Sequence, residues 1–287
     1  MLLIAGGALD PNIACLAKAA ENLGLRFRTL LVGPRDAPSI AWDINKDALL
    51  VDGCRLSVGS AFIRYDVFSQ LDDQRPEVAH RALAWYLAMS SYLECHAEIR
   101  TFNRRHDGGG KPAQLAIASS VGLEIPHTWI CNDFPYLRTK AHRLELVVKP
   151  VNGGEYCQTL KAVAGSTERR NGVASAPAIV QELLVQPDVR IYRVGRDFFG
   201  FTIRSDVLDY RTTNSAQLEF LPSIDPRIKQ GLKRLTDRLG LDFAAADFKA
   251  DDKGALKFLE VNSAPMFAAF DSVANGRVSQ AILANLN

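Results

Sequence analysis

The sequence is poor in the patterns that mark common nucleophile and metal chemistry. Its five cysteines (Cys15, Cys54, Cys95, Cys131 and Cys157) are scattered and odd in number, with no C-x-x-C pair. A zinc site or a disulfide framework therefore has no support, and a reducing, cytoplasmic setting is expected. Five dispersed histidines give no basis for a His-dependent triad or a His-rich metal centre. G-x-S-x-G and GxxxxGK[ST] are both missing, which argues against an α/β-hydrolase and a P-loop NTPase. Gly6-Gly7 lacks the G-x-G-x-x-G pattern and reads as a plain strand-to-helix turn. No stretch approaches the ~18 apolar residues of a membrane helix. The start, MLLIAGGALDP, has no basic region before its short apolar run, so it reads as a first strand and not a signal peptide. Long basic runs are missing too. With a net charge of +2, nucleic acid and membrane surfaces are not expected partners. The pairs Arg104-Arg105 and Arg169-Arg170 read as solvated loops or local anion contacts.

What remains is ordinary globular material. The 287 residues are 47% hydrophobic and 23% charged, enough for two or three lobes. Composition leaves the assembly state open, and a homo-oligomer is compatible with it. The first third alternates element types, with strands at 2–5, 26–32 and 61–65 and helices at 11–24 and 76–100. A hairpin turns at Asp52-Gly53. Residues 103–110 are polar and Gly-rich and mark a boundary. Beyond it, helices are expected at 111–122, 133–143, 225–240 and 271–286. Strands are expected at 125–131, 144–151, 158–164 and 179–184, with a hairpin around residues 195–197. The arrangement is α plus β, mostly antiparallel after residue 140. The expected domains are 1–102, 103–184 and 185–287.

Residues 247–262, DFKADDKGALKFLEVN, carry the densest signal. Two apolar-rich runs flank a charged, Gly-containing centre, which is the pattern of a hairpin. With Lys253-Gly254 as a two-residue loop, Asp252 faces Ala255 and Asp247 lies opposite Glu260. Cross-strand neighbours have Cβ atoms ~5 Å apart, where like charges repel. Alternation puts Asn262 on the face of Glu260. Two carboxylates and an amide oxygen then converge, and Mg²⁺ is a cation suited to hold them. The competing reading has Asp247 and Glu260 solvated on an exposed sheet face. Their apolar flanks favour burial, where a charge must be paired or metal-bound.

Two further segments suggest a phosphate-bearing ligand. Lys149 sits in LELVVKPV, where a buried lysine needs an anionic partner, unless it snorkels from a strand edge. Gly153-Gly154 follows and can let backbone N–H groups approach a polyphosphate. In IVQELLVQPDVRIYRVG, Glu182, Leu183 and Leu184 form an extended segment able to hydrogen-bond a flat base. Asp188 is suited to ribose hydroxyls, and Arg190 and Arg211 to carboxylate or phosphate. A structural Asp188–Arg190 pair is the alternative. Cys157 reads as an inert buried thiol in preference to a reactive one.

A strand lysine, a Gly turn, an acid-bearing linker and a D…E-x-N hairpin, in that order, resemble the ATP-grasp superfamily of carboxylate–amine ligases. The likeness is to RimK-type ribosomal-protein glutamate ligases and to the peptide macrocyclases of graspetides, over residues 103–287. FLEVNSAPMF is its most specific motif. The resemblance implies an ATP-grasp fold of the α/β (α+β) class. An N-terminal α/β domain would precede two α+β lobes that hold the nucleotide between them. It implies phosphate contacts from Lys111 and Lys149, adenine contacts from Glu182 and Leu183, and ribose contact from Asp188. Arg190 matches the arginine two residues on, and DYRTTN resembles an active-site turn carrying Arg211 and Asn214. Asp247, Glu260 and Asn262 match magnesium ligands. The loop NGGEYCQ is shorter than that of many relatives, and SAQLEF lacks the basic residues of the ribosomal-protein ligases. The implied reaction joins a carboxylate to an amine through an acyl phosphate, using ATP and Mg²⁺ (Mn²⁺ as a substitute). Its substrate would be a peptide, an amino acid or a protein tail. A small-molecule kinase and a non-catalytic nucleotide-binding module stay open as alternatives.

Overall fold

The computed structural model describes residues 1–33, 37–104, 106, 108–141, 144–151, 157–165, 169–205 and 216–287. In chain order its elements begin with β1 (Leu2–Gly7), α1 (Pro11–Asn22), β2 (Phe27–Val32), β3 (Ile40–Asp43) and β4 (Ala48–Val51). Next come β5 (Cys54–Arg55), β6 (Ser60–Ile63), α2 (Phe68–Asp72), α3 (Pro76–Cys95) and α4 (Lys111–Ser120). The middle of the chain holds β7 (Thr128–Asp133), α5 (Phe134–Lys140), β8 (Leu146–Pro150), β9 (Gln158–Thr159) and α6 (Leu160–Ala164). After these follow β10 (Arg169–Arg170), β11 (Val173–Glu182), β12 (Val185–Val194), β13 (Asp197–Arg204) and β14 (Gln217–Leu221). The chain closes with α7 (Pro226–Arg238), β15 (Phe243–Ala250), β16 (Leu256–Asn262), α8 (Ala268–Val273) and α9 (Arg277–Leu286).

The chain gathers into two compact units, residues 1–105 with 266–287, and residues 106–265. The first holds a parallel sheet in the order β2-β1-β6 and a small antiparallel sheet β3-β4-β5. Asp10 begins α1 by accepting the Asn12 N–H at 2.8 Å, and Gly24 ends that turn at φ +65°. Both the Asp cap and the left-handed glycine stop follow ordinary helix-end chemistry. The carboxyl-terminal residues return to this unit. Asn12 Oδ1 accepts the backbone N–H groups of Phe267 and Ala268 at 2.6 and 2.8 Å. The single helix expected over 271–286 is two, because Asn275 and Gly276 both take positive φ and break it.

The second unit carries two antiparallel sheets. One runs β10-β11-β8-β9, with β7 also paired to β11, and the other β14-β13-β12-β15-β16. Residues 183–184 join them. The strand expected over 158–164 is a two-residue strand followed by α6. Thr159 turns its hydroxyl to the Ala162 N–H at 3.3 Å and caps the helix. In the second sheet, Val189, Ile191, Ala244, Ala246, Phe248, Phe258 and Val261 pack on α4 and α7 through Leu115, Ala118, Leu232 and Leu235. That face is the core of the unit; the opposite face carries Asp188, Arg190, Asp247 and Lys249 beside the buried Tyr192, Phe201 and Ile203. No helix among the described residues is long and apolar enough to cross a membrane.

Candidate active site

The β15–β16 ladder brings Asp247 and Glu260 directly opposite each other. It does so by a route different from the expected one. Residues 251–255 make the connection, with the Asp251 N–H donating to the Ala255 carbonyl at 2.9 Å, so Asp252 does not face Ala255. Near the turn the pairs are Ala250 with Leu256, Lys249 with Lys257 and Phe248 with Phe258. A bulge then shifts the register by one, so that Asp247 meets Glu260 and Ala245 meets Asn262. The bulge decides which way Glu260 points. Phe258 is fully buried in the core, and strict alternation would send Glu260 inward behind it. The extra residue, Leu259, lets Leu259 and Glu260 both line the cleft, after which Val261 returns to the core.

Each acid on this face has a basic partner. Arg190, opposite Asp247 on β12, grips it with two hydrogen bonds, Nε to Oδ1 at 2.7 Å and a terminal nitrogen to Oδ2 at 2.8 Å. Lys111, the first residue of α4, reaches Glu260 Oε2 at 2.7 Å. Lys249 Nζ donates to Asp188 Oδ2 at 2.9 Å. The Asn262 amide lies 3.4 Å from Asp247 Oδ2. The expected alternative, a pair between Asp188 and Arg190 themselves, does not form. Each crosses to β15, so that acid and base alternate both along and between the two strands. Burial pushes the Asp188 carboxyl above the usual aspartate range, against the pull of Lys249 and Gln186.

The cleft lies between the two sheets of the second unit and is open to solvent on one side. Lys111, Lys149, Glu182, Leu183, Leu184, Asp188, Asp247 and Glu260 line it, with Cys157 and Lys249. Val147, Ile203 and Leu259 give it an apolar wall. Lys149 Nζ donates to Gln181 Oε1 at 3.2 Å. Glu182 is tied to His127 through its backbone N–H at 3.1 Å and its carboxylate at 3.2 Å, and the Leu183 N–H donates to the Glu145 carbonyl at 2.7 Å. A second depression holds Asn262 and shares Lys111 and Glu260 with the first. Arg190 is not among the residues lining either one. Gly153, Gly154, Arg211 and Asn214 lie outside the described residues. Among the described residues no three His, Cys, Asp or Glu side chains form a metal-holding group, so the candidate set is two carboxylates and an amide.

Gln114 is a participant that sequence reasoning missed. Its side chain is buried, accepts the Val261 N–H at 3.0 Å and donates to the Val261 carbonyl at 3.0 Å. It thereby mimics a further strand along the edge of β16, between Glu260 and Asn262. The same amide nitrogen donates to the Gly108 and Gly109 carbonyls. One residue thus fixes the acid-bearing strand to the helix that starts with Lys111. A glutamine three positions after a basic helix start was the visible signal.

Two antiparallel sheets meeting at a cleft, with lysines and a D…E-x-N ladder lining it, define the class: the chain has the ATP-grasp fold. Over 100% of its length it is similar to the ATP-grasp ligase PsnB complexed with minimal precursor, at 22% identity and TM-score 0.77, covering 99% of that chain. The macrocyclase MdnC of Microcystis aeruginosa MRC, bound with precursor peptide MdnA, matches at 19% identity and TM-score 0.74, over 100% of this chain and 99% of that one. D-cycloserine synthetase DcsG matches at 14% identity and TM-score 0.59, over 100% and 99%. No protein-family model and no curated protein sequence matches the chain.

Proposed function

We propose that this protein is an ATP-dependent ligase that joins a carboxylate to an amine, with a peptide as its substrate. The observation that carries the reading is the facing pair Asp247–Glu260, set beside Lys111 in a cleft that also holds Lys149 and the 182–184 linker. The donor set suits magnesium, since all its candidate ligands are hard oxygens on one sheet face. Two facing carboxylates also require positive charge between or beside them, here supplied by Arg190 and Lys111. When bound, magnesium would spread the charge of the transferring phosphoryl group. Asp247, Glu260 and Asn262 would hold it.

The protein's own residues then take these roles. Lys111 and Lys149 bind phosphate oxygens, Lys111 releasing Glu260 as it does so. Arg190 fixes Asp247 and through it the charge of the phosphoryl site; Arg211 and Asn214 are assigned to the same site from the sequence. Gly153 and Gly154 are likewise assigned to the phosphates from the sequence. A base in the cleft has the Leu184 N–H as its donor, because those of Glu182 and Leu183 are already committed within the protein. Asp188 accepts from the ribose. The substrate carboxylate attacks the γ-phosphorus and ADP leaves. The amine then attacks the acyl carbon and phosphate leaves. The apolar wall excludes water, which would otherwise hydrolyse the acyl phosphate.

The peptide reading draws support from the solved relatives. PsnB and MdnC, both bound with precursors, resemble this chain more closely than DcsG does. None of the five cysteines is in a disulfide, which supports a cytoplasmic, reducing setting. Incubation with magnesium, ATP and candidate peptides tests the function. The expected products are ADP, free phosphate and a peptide lighter by one water per new bond. Phosphate retained on the substrate would instead identify a kinase. Nucleotide binding without any turnover would identify a non-catalytic module.

A further inference from the structure

Lys249 stands in the cleft but has no part in the roles assigned above. It is 8% exposed and flanked by the core residues Phe248 and Ala250. A buried ammonium needs an anionic partner, and Asp188, its register neighbour on β12, supplies one. Gln186 adds to the arrangement. Its amide nitrogen donates to the same Asp188 Oδ2 at 2.7 Å, and its Oε1 accepts the Asp188 backbone N–H at 3.2 Å. Oδ2 therefore takes two donors, whereas Oδ1 has none among the described residues. Asp188 lines the cleft. One carboxylate oxygen is anchored and the other is left for a ligand.

We propose that Lys249 and Gln186 are positioning residues that fix Asp188 as the acceptor for one ribose hydroxyl, so that the cleft selects ribonucleotides over their deoxy counterparts. The inference rests on the ATP reading above. An ionised acceptor makes a stronger hydrogen bond to a hydroxyl than a neutral one. Burial favours the protonated acid, which would offer a donor in place of the acceptor, and the ammonium opposes that. Lys249 thus keeps the charge, and Gln186 restrains the rotation of the carboxylate.

The test is titration calorimetry of the full chain with magnesium and ATP, 2′-deoxy-ATP or 3′-deoxy-ATP. Wild type is expected to bind ATP about tenfold to a hundredfold tighter than one of the two analogues, the range of a hydrogen bond to a charged group. Lys249→Met should bring that ratio near unity, Lys249→Arg should restore most of it, and Gln186→Leu should lie between. A folded Lys249→Met protein with the wild-type ratio would overturn the proposal. Gln186 is exposed, so its variant decides the matter if Lys249→Met does not fold, and an unchanged ratio there is equally fatal. Wild type that binds ATP without discriminating refutes this inference and leaves the ATP reading standing. Wild type that binds no ATP refutes both.

Discussion

The grip of Arg190 on Asp247 allows structure and chemistry to be separated by mutation. The two side chains are 12% and 16% exposed and share a bidentate contact. Breaking a fully buried pair by removing one partner costs about 3–5 kcal/mol, because the other charge is left unpaired. Partial exposure lowers that to about 2–4 kcal/mol, and Asp247→Ala also relieves a like-charge contact with Glu260 worth about 0.2–1 kcal/mol. A net loss of about 2–3 kcal/mol follows, which in a body of this size lowers the melting temperature by about 4–12 °C. Replacing both residues by apolar ones, as in Arg190→Met with Asp247→Leu, should recover most of it, since a buried ion pair is worth little over a hydrophobic replacement. Thermal melts followed by circular dichroism, with and without magnesium and a non-hydrolysable ATP analogue, read both effects. Wild type should melt higher with the ligands, by mass action on the folded state. The double variant should regain stability yet show no ligand-induced shift. A single Asp247→Ala protein as stable as wild type would refute the electrostatic argument. A ligand shift surviving in the double variant would refute the assignment of Asp247 to the metal.

Other expectations follow from the same face of the sheet. Glu260→Gln should abolish Mn²⁺ binding measured by electron paramagnetic resonance, and chelation by EDTA should stop ADP formation without altering the circular dichroism of the protein. Gln114→Met leaves the Val261 N–H and carbonyl without their side-chain partner, at about 1–3 kcal/mol; an unchanged chemical-denaturation midpoint would count against its role. Because the folded Asp188 value lies above the ordinary one, its contribution to stability is full below the usual aspartate range and declines as pH rises through the raised value. Nucleotide binding runs the other way, weakening as pH falls through that raised value; calorimetry across the acid range should place the midpoint above the ordinary aspartate range. Burial also pushes the Cys15 thiol up, so iodoacetamide should label exposed Cys54 and Cys95 well before Cys15, as mass spectrometry of a short time course would report.

Much of this site could be read from the chain because its side chains obey local periodicities. Alternation within β15 and β16 placed Asp247, Glu260 and Asn262 together, although the expected two-residue loop was wrong and a bulge restored the result. The extra residue had no mark in FLEV that distinguishes a bulge from a regular strand. Lys249 and Gln114 were not legible for a different reason. Their partners, Asp188 and Val261, are 61 and 147 residues away, and only the β12–β15 pairing and the docking of α4 bring them near. The error over α6 shows how weak a short apolar run is as a guide. TLKAVA suits either state, and the Thr159 cap tips it to helix. The break between α8 and α9 was written in Asn275-Gly276, a pair that favours positive φ, and was overridden by the helical spacing around it.

The bulge at Leu259 has a practical meaning for the tip of that hairpin. Since the register is reset between the tip and Glu260, residues 252–254, which are exposed, are geometrically insulated from the acids. A fluorophore or a short affinity tag grafted at this tip would report on the protein, or immobilise it, without disturbing the ligands four strand positions further in.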